Sequence, residues 1–362
     1  GCRQSQKPNI EFISVYNFQV IKPLIKDSTM RWLLTFMLFS FVSQGFAGYV
    51  LIDEKLYHSD ELPSYSEAKH YELAVYAFER CDYDESAKQF RILGINFPTS
   101  EDAWFFAGVS YYETGDLDYA NCAFSSYLSS QIAPCYFEEA VYYKLCIAER
   151  LAAGEKIHPI ESRKLPRCIP ARGLALEIFD EVISLMPTSE FAAHALYRKG
   201  CLQWSFGLYK DVITTYQMLI RRFPRHEMIP DCYLNILNIY LVESRIEFQN
   251  PDIISFAEIT LRKFEQDFPK DERLEEGERI IGSIKEVFAS GLYNIAEFYM
   301  RTCHPRAAAI YYQMVMAKFP FTKAASKAEL QLQVLCPDGI PIICEANNST
   351  GDTIEKYDLE TL

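Results

Sequence analysis

The chain has 362 residues, 49% hydrophobic and 23% charged, a balance that suits a folded globular protein with one large core or several modest ones. Its 49 acidic and 36 basic side chains give a formal charge of −13. The Lys and Arg residues are scattered among carboxylates rather than gathered in a stripe, which argues against a phosphate-binding surface and against nucleic acid as a partner.

Residues 1–29 contain no Met, and Met30 opens a new pattern: Arg31, an uncharged run from Trp32 to Val42, then small residues at Gly45 and Ala47. A short basic start, an apolar segment and a small-residue site read as a secretory signal peptide over 30–47, with 1–29 an upstream extension and 48–63 an N-terminal linker. Its removal takes the formal charge from −13 to −16, because residues 1–47 hold five basic and two acidic side chains. The alternative is an uncleaved anchor, since no charge stands between Arg31 and Asp53 and about 20 apolar residues span a bilayer. Lys22, Lys26 and Arg31 would then stay cytoplasmic. Both readings put the chain beyond Asp53 outside the cytoplasm.

From residue 64 to 335 the chain is punctuated by Pro98, Pro134, Pro187, Pro224, Pro269 and Pro320, with gaps of 36, 53, 37, 45 and 51. The shortest gaps approach the 34-residue period of a helix-turn-helix array, and the longer ones require insertions. Within the units a small residue is followed 12 and 16 positions later by a small and an aromatic one: Ala74, Ser86, Phe90; Gly108, Ala120, Phe124; Gly200, Val212, Tyr216; Ala296, Ala308, Tyr312. In Gly200's unit the middle residue is Val rather than a smaller one. This is the register of two helices approaching closely at the small residues while the aromatic fills the groove.

The turns between paired helices read Cys81-Asp-Tyr-Asp, Gly115-Asp-Leu-Asp, Gly207-Leu-Tyr-Lys and Cys303-His-Pro-Arg. Glycine offers a helix end with positive φ, and Asp caps the next helix. At the joints between units, as in Gly94 to Ala103, Pro98 ends one helix and Thr99 or Ser100 is expected to cap the next, with Glu101 and Asp102 in its first turn. The third unit carries a Pro-rich, basic loop at 152–173. The sixth has a long first helix from about Leu274 to Met300, interrupted by Gly277, Gly282 and Gly291, and Thr322 caps a last helix running to Leu335. No alternating run suggests a sheet. Residues 336–362 read as a loop and a disordered acidic tail.

No constellation for chemistry stands out. His58, His70, His158, His194, His226 and His304 show no H-E-x-x-H pattern, and no Cys-x-x-Cys spacing builds a metal site. Ser66-Glu-Ala-Lys69 lacks the further motifs of a penicillin-binding enzyme and reads as a helix start. Cys303-His304 occupies a turn. The expectation is no enzyme, no cofactor and no metal. Of the eleven cysteines, Cys122, Cys146, Cys201 and Cys232 sit in apolar helical patterns and read as small buried hydrophobes. Cys336 and Cys344 bracket a turn-rich loop and form the best disulfide candidate. What remains is surface: first-helix aromatics Tyr71, Trp104, Tyr111, Tyr142, Tyr197 and Trp204 are candidates for a partner-binding inner face, with hairpin core as the competing role.

The stretch from Trp104 to Tyr111, with Gly115, Ala120 and Phe124, resembles the tetratricopeptide repeat. Within that class the segment from Arg279 to Leu330, and Cys81 to Ser100 at the other end, resemble the BamD group of outer-membrane barrel-assembly lipoproteins. The resemblance implies an all-α fold, a right-handed superhelix of about six tetratricopeptide-like hairpins plus a C-terminal capping helix. It implies a non-enzymatic periplasmic scaffold at the outer membrane, peripherally associated, whose partners are a barrel-assembly protein and unfolded outer-membrane clients. It also implies that the C-terminal hairpins dock the membrane component, through the long helix that carries Arg279, Lys285 and Arg301. The chain departs from the group in having Gly48-Tyr-Val after Ala47, with the next Cys at 81, and one hairpin more than the expected five. A Tol-Pal or peptidoglycan-coordinating scaffold and a generic peptide-binding repeat protein are the alternatives.

Overall fold

The computed structural model describes residues 49–52, 55–58, 64–130, 134–159, 163, 165–246 and 250–335. The expected signal segment, the acidic tail and the Cys336–Cys344 pair lie outside the described residues. A short antiparallel hairpin, β1 (Tyr49–Ile52) and β2 (Lys55–His58), stands in the stretch expected to be a linker. Thirteen described helices follow: α1 (Glu67–Glu79), α2 (Tyr83–Asn96), α3 (Ala103–Thr114), α4 (Leu117–Ser130), α5 (Phe137–Ala153), α6 (Arg172–Leu185), α7 (Glu190–Ser205), α8 (Tyr209–Arg222), α9 (Ile229–Ile246), α10 (Asp252–Asp267), α11 (Leu274–Arg301), α12 (Pro305–Lys318) and α13 (Lys323–Leu335). They make six successive hairpins and a terminal helix. The fold is all-α, and the described residues divide into two compact units, up to Ala140 and from Val141 onward.

Each unit is built by the expected register. All twelve positions of the four small-small-aromatic sets are buried. A Cβ on Gly108 would stand 2.8 Å from Phe124 Cε1, and one on Gly200 only 2.4 Å from Tyr216 Cε1, so the ring occupies the space a side chain would need. The third hairpin, α5 with α6, departs from the pattern. There Lys144 is buried and its Nζ lies 2.6 Å from Glu181 Oε2, while the loop between the helices is pinned by a two-residue ladder of β3 (Lys156–Ile157) with β4 (Ile169–Pro170). These two short ladders are β structure that no alternating pattern announced. In the second unit α9 packs on α11 and α11 on α13, as stacked hairpins require. The glycines of α11 do not interrupt it: 28 residues run without a break, and Gly277 lets Leu261 come close.

The Pro residues end helices through their neighbours. Phe97, Met186, Phe223, Phe268 and Phe319, each just before a Pro, are the C-caps of α2, α6, α8, α10 and α12. Their φ lies between −127° and −135° and their ψ between 57° and 83°. The proline Cδ clashes with a preceding residue held in the α region, and this common geometry is the result. Each cap amide still donates to the carbonyl four residues back.

The polar residues after the Pro act otherwise than expected. Thr99 and Ser100 do not cap α3, and Asp102 at the N-cap makes no capping side-chain bond. Both hydroxyls instead donate to Glu67 Oε1 at 2.8 Å, on the first helix of the preceding hairpin. The second unit repeats the device. Glu190 pairs with His226 Nε2 at 2.7 Å, Arg273 Nη1 donates to Asp231 at 2.8 Å, and Glu286 accepts from the Lys323 and Ala324 amides at 2.7 and 3.1 Å. An acid on one first helix thus latches the entry to the next hairpin or, for Glu286, the start of the terminal helix. The Thr322 cap is present, with the Ala325 amide donating to its Oγ1 at 3.2 Å, whereas Ser66 occupies an N-cap without a side-chain bond.

At the turns inside hairpins, Gly115 and Gly207 take φ of 78° and 72°, and Cys81 and Cys303 take 60° at the equivalent places. Asp82 accepts weakly from the Glu85 amide, at 3.4 Å. Among the four helical cysteines expected inside, only Cys232 is buried; Cys146 is half-buried, and Cys122 and Cys201 are exposed because their phase points them off the hairpin seam.

Candidate interaction surface

Five of the six candidate aromatics stand one helical turn from a small residue of the hairpin seam, Tyr71 among them at −3 from Ala74. Trp104 and Tyr111 lie at −4 and +3 from Gly108, and Tyr197 and Trp204 at −3 and +4 from Gly200. Residues at these spacings share a helix face with the seam residue, and the rings on it range from buried Tyr111 to exposed Tyr71. Tyr111 is buried, only 3% exposed and 5.4 Å from the Tyr119 ring, in the hairpin core, which is the competing role. The Trp104 indole lies over Gly94, where a Cβ would approach its Cε2 to 2.6 Å. Trp204 meets Tyr209 edge to face at 6.3 Å and braces the α7–α8 turn. Tyr197 is half-buried against Tyr216 at 6.0 Å and bonds Asn235 of α9; burial raises its phenol pKa.

Tyr71 and Tyr142 are exposed, at 49% and 50%. On α1, Tyr71 presents its edge to Phe90 at 6.4 Å and, with Ala68, Val75 and Tyr76, lines a shallow groove edged by Glu72 and Glu79. Arg80 stacks over Tyr76 at 5.3 Å. In the second unit, Tyr142 of α5 faces Phe191 of α7 with centroids 5.9 Å apart. Seven residues further along both helices, Arg198 Nε donates to Glu149 Oε1 at 2.9 Å. Contacts repeating at an equal step of seven on two helices mean that α5 and α7 run parallel and in register, about two turns from one contact to the next. The result is a strip on successive first helices with an aromatic pair at one end and an ion pair at the other. Phe191, Glu149 and Arg198 were not singled out from the sequence. Phe191 sits in Leu185-Met-Pro-Thr-Ser-Glu-Phe-Ala192, which reads as punctuation, and only its phase relative to Tyr142 reveals it.

The basic residues of α11 do not make one patch. Arg279 pairs with Glu276 in the turn before it, Lys285 Nζ is held 2.8 Å from Glu258 of α10, and Arg301 is exposed at the helix end. Arg279 and Arg301 are about 33 Å apart along the helix at 1.5 Å per residue. Lys285 ties its helix to the preceding hairpin.

Elsewhere, Lys69 pairs with Glu72 at 2.9 Å, and His304 Nδ1 lies 3.3 Å from Thr302 Oγ1 in the strained turn that contains Cys303. Among the described residues no helix is long and apolar enough to cross a membrane.

The profile of an outer membrane lipoprotein family, YfiO, matches residues 175–336. No curated protein matches the chain significantly. Similar solved structures include MamA, at 15% identity over 57% of this chain and 95% of that one, with a TM-score of 0.32. YrrB, described as a TPR protein with an unusual peptide-binding site, is 12% identical over 59% of this chain and 92% of its own, with a TM-score of 0.32. PilW, a type IV pilus biogenesis factor, is 16% identical over 73% and 98%, with a TM-score of 0.25.

Proposed function

We propose that this protein is a non-enzymatic scaffold of the bacterial envelope, exported to the periplasm and working at the outer membrane, where it binds a subunit of the β-barrel assembly machinery and unfolded clients. The observation that carries the reading is the outer membrane lipoprotein profile over residues 175–336, which covers helices α6 to α13. The strip of Tyr142, Phe191, Glu149 and Arg198, exposed at Tyr142 and Arg198 and partly buried at Phe191 and Glu149, supports it physically. A half-exposed Tyr142 backed by Phe191 beside a charged pair suits a partner segment with both apolar and polar side chains, and Tyr adds contact area with a hydrogen-bonding tip. A strip made by parallel helices favours an extended or helical segment laid along it.

The test is co-purification from detergent-solubilised envelopes with tagged wild-type protein and the Tyr142→Ala, Phe191→Ala double variant. Recovery of an outer-membrane barrel-assembly subunit by the wild type and its loss in the variant support the proposal. Recovery of peptidoglycan-associated proteins instead would transfer the protein to the alternative envelope role. Intact-mass measurement of the processed chain tests export, for which a start at Gly48 is expected and retention of residues 30–47 argues for the anchor.

A further inference from the structure

Glu190, His194 and His226 bring one carboxylate oxygen and two imidazole nitrogens within 4.8 Å of one another. Glu190 and His194 lie four apart on the first turns of α7, so they share a face, and His226 reaches them from the loop between α8 and α9. Its Nε2 is 2.7 Å from Glu190 Oε1, His194 Nε2 is 3.6 Å from the same oxygen, and the two rings stand perpendicular with centroids 6.0 Å apart. His226 is held by burial, with a side chain only 9% exposed, and by the Met228 amide donating to its Nδ1 at 3.2 Å. Glu190 is open to solvent at 65%.

We propose that these three side chains form a binding site for a divalent first-row cation, with Zn2+ as its first occupant. Two imidazoles and a carboxylate are a donor set that such cations favour. Tetrahedral Zn2+ with bonds of about 2.0–2.1 Å needs donors about 3.3 Å apart, and the observed separations lie on either side of that value. Three protein ligands leave a fourth position on the exposed Glu190 side for water or for a partner's group. The site would staple the α8–α9 loop to the start of α7, strengthening the latch already made by Glu190 and His226. It escapes motif reading because His226 is 36 residues from Glu190 in sequence.

The chemistry imposes a signature. With Nδ1 accepting from the Met228 amide, the proton of neutral His226 sits on Nε2. Coordination at Nε2 releases that proton and requires one at Nδ1, so the tautomer changes without net loss of protons from the ring, and the Met228 amide must give up its acceptor.

Calorimetric titration of the purified chain with Zn2+ is expected to give one equivalent lost in His194→Ala and weakened about tenfold or more in Glu190→Gln. His194→Ala leaves the His226–Glu190 contact in place, and its circular dichroism and melting temperature report whether it is folded. Imidazole 15N spectra of the wild type should show the His226 proton moving from Nε2 to Nδ1. Substitution of Co2+ should give a spectrum without thiolate charge transfer. Unchanged Zn2+ affinity in a folded His194→Ala, an unmoved tautomer, or thiolate bands from cysteines elsewhere would overturn the proposal.

Discussion

The position sixteen residues after the small seam residue is phenylalanine in both registered hairpins of the first unit, Phe90 and Phe124, and tyrosine in both of the second, Tyr216 and Tyr312. All four rings are at most 1% exposed, so the packing requirement is the same: a flat ring pressed on a helix that lacks a side chain or carries only a methyl. What differs is the hydroxyl. In the first unit the two rings meet other rings, Phe90 stacked on Phe106 at 5.4 Å and Phe105 edge-on to Phe124 at 5.9 Å. In the second, Tyr216 must place its oxygen 3.5 Å from Cys201 Sγ, and burial drives its pKa up. Register decides that a ring is there, and the surroundings decide whether it carries a polar tip.

The largest way to break the shared part of this comparison is to remove a ring. Phe124→Ala should cost about 3–5 kcal/mol in chemical denaturation, the range for a fully buried Phe, because Gly108 has no side chain to relax into the space. Overfilling the seam should cost less. Ala308→Trp, at a position with no exposed surface, is expected to lose about 1–3 kcal/mol or more; an unchanged melting temperature would mean the helix face is misplaced.

A smaller effect of opposite sign is expected at the turns. Cys303 holds a left-handed conformation that costs a β-carbon about 1–2 kcal/mol, and glycine loses about 0.5–1 kcal/mol of that through its freer unfolded chain. Cys303→Gly should therefore gain about 0.5–1 kcal/mol. Failure to stabilise would show that the Cys side chain makes a compensating contact.

The smallest effect at neutral pH separates the units. Burial raises the pKa of Tyr197, Tyr216, Tyr233, Tyr240, Tyr311 and Tyr312 in the second unit and pushes Tyr293 up to about 12, while in the first only Tyr127 is raised among the described residues. A phenol whose folded pKa is raised contributes stability that is fully present below its unfolded value of about 10 and is lost as pH rises through the folded value. Hydrogen exchange at rising alkaline pH should therefore show the second unit opening first, and Tyr216→Phe should reduce that difference while changing little at pH 7. Simultaneous opening of both units would contradict the reading.

Much of the fold was legible because its causes are local or periodic. Pro acts on the residue next to it, and the seam repeats at 12 and 16, so hairpins and their joints follow from the sequence. The latches were not legible, because they recur with changing partners and spacing: Glu67 with Ser100 and Asp231 with Arg273 join residues 33 and 42 apart. The binding candidates fell between these cases. Their +3 and −4 positions relative to Gly108 put Tyr111 and Trp104 beside the seam, but Tyr71, at −3 from Ala74, is exposed, so spacing alone does not assign a ring to it. Tyr142 lacked such a reference, because its hairpin has an inserted loop and a buried Lys144 in place of the regular set. Phe191 was hidden inside a joint.

The account turns on the division between aromatics that close the seam and aromatics that line the first-helix strip. The most direct measurement pairs thermal melting with partner recovery for the Tyr142→Ala, Phe191→Ala variant, with Phe124→Ala as the control. The prediction is a stability change near the ±0.5 kcal/mol typical of surface substitutions, together with loss of the envelope partner. A melting temperature that falls as far as in Phe124→Ala, with partner recovery intact in the folded fraction, would contradict it and return the strip to the core.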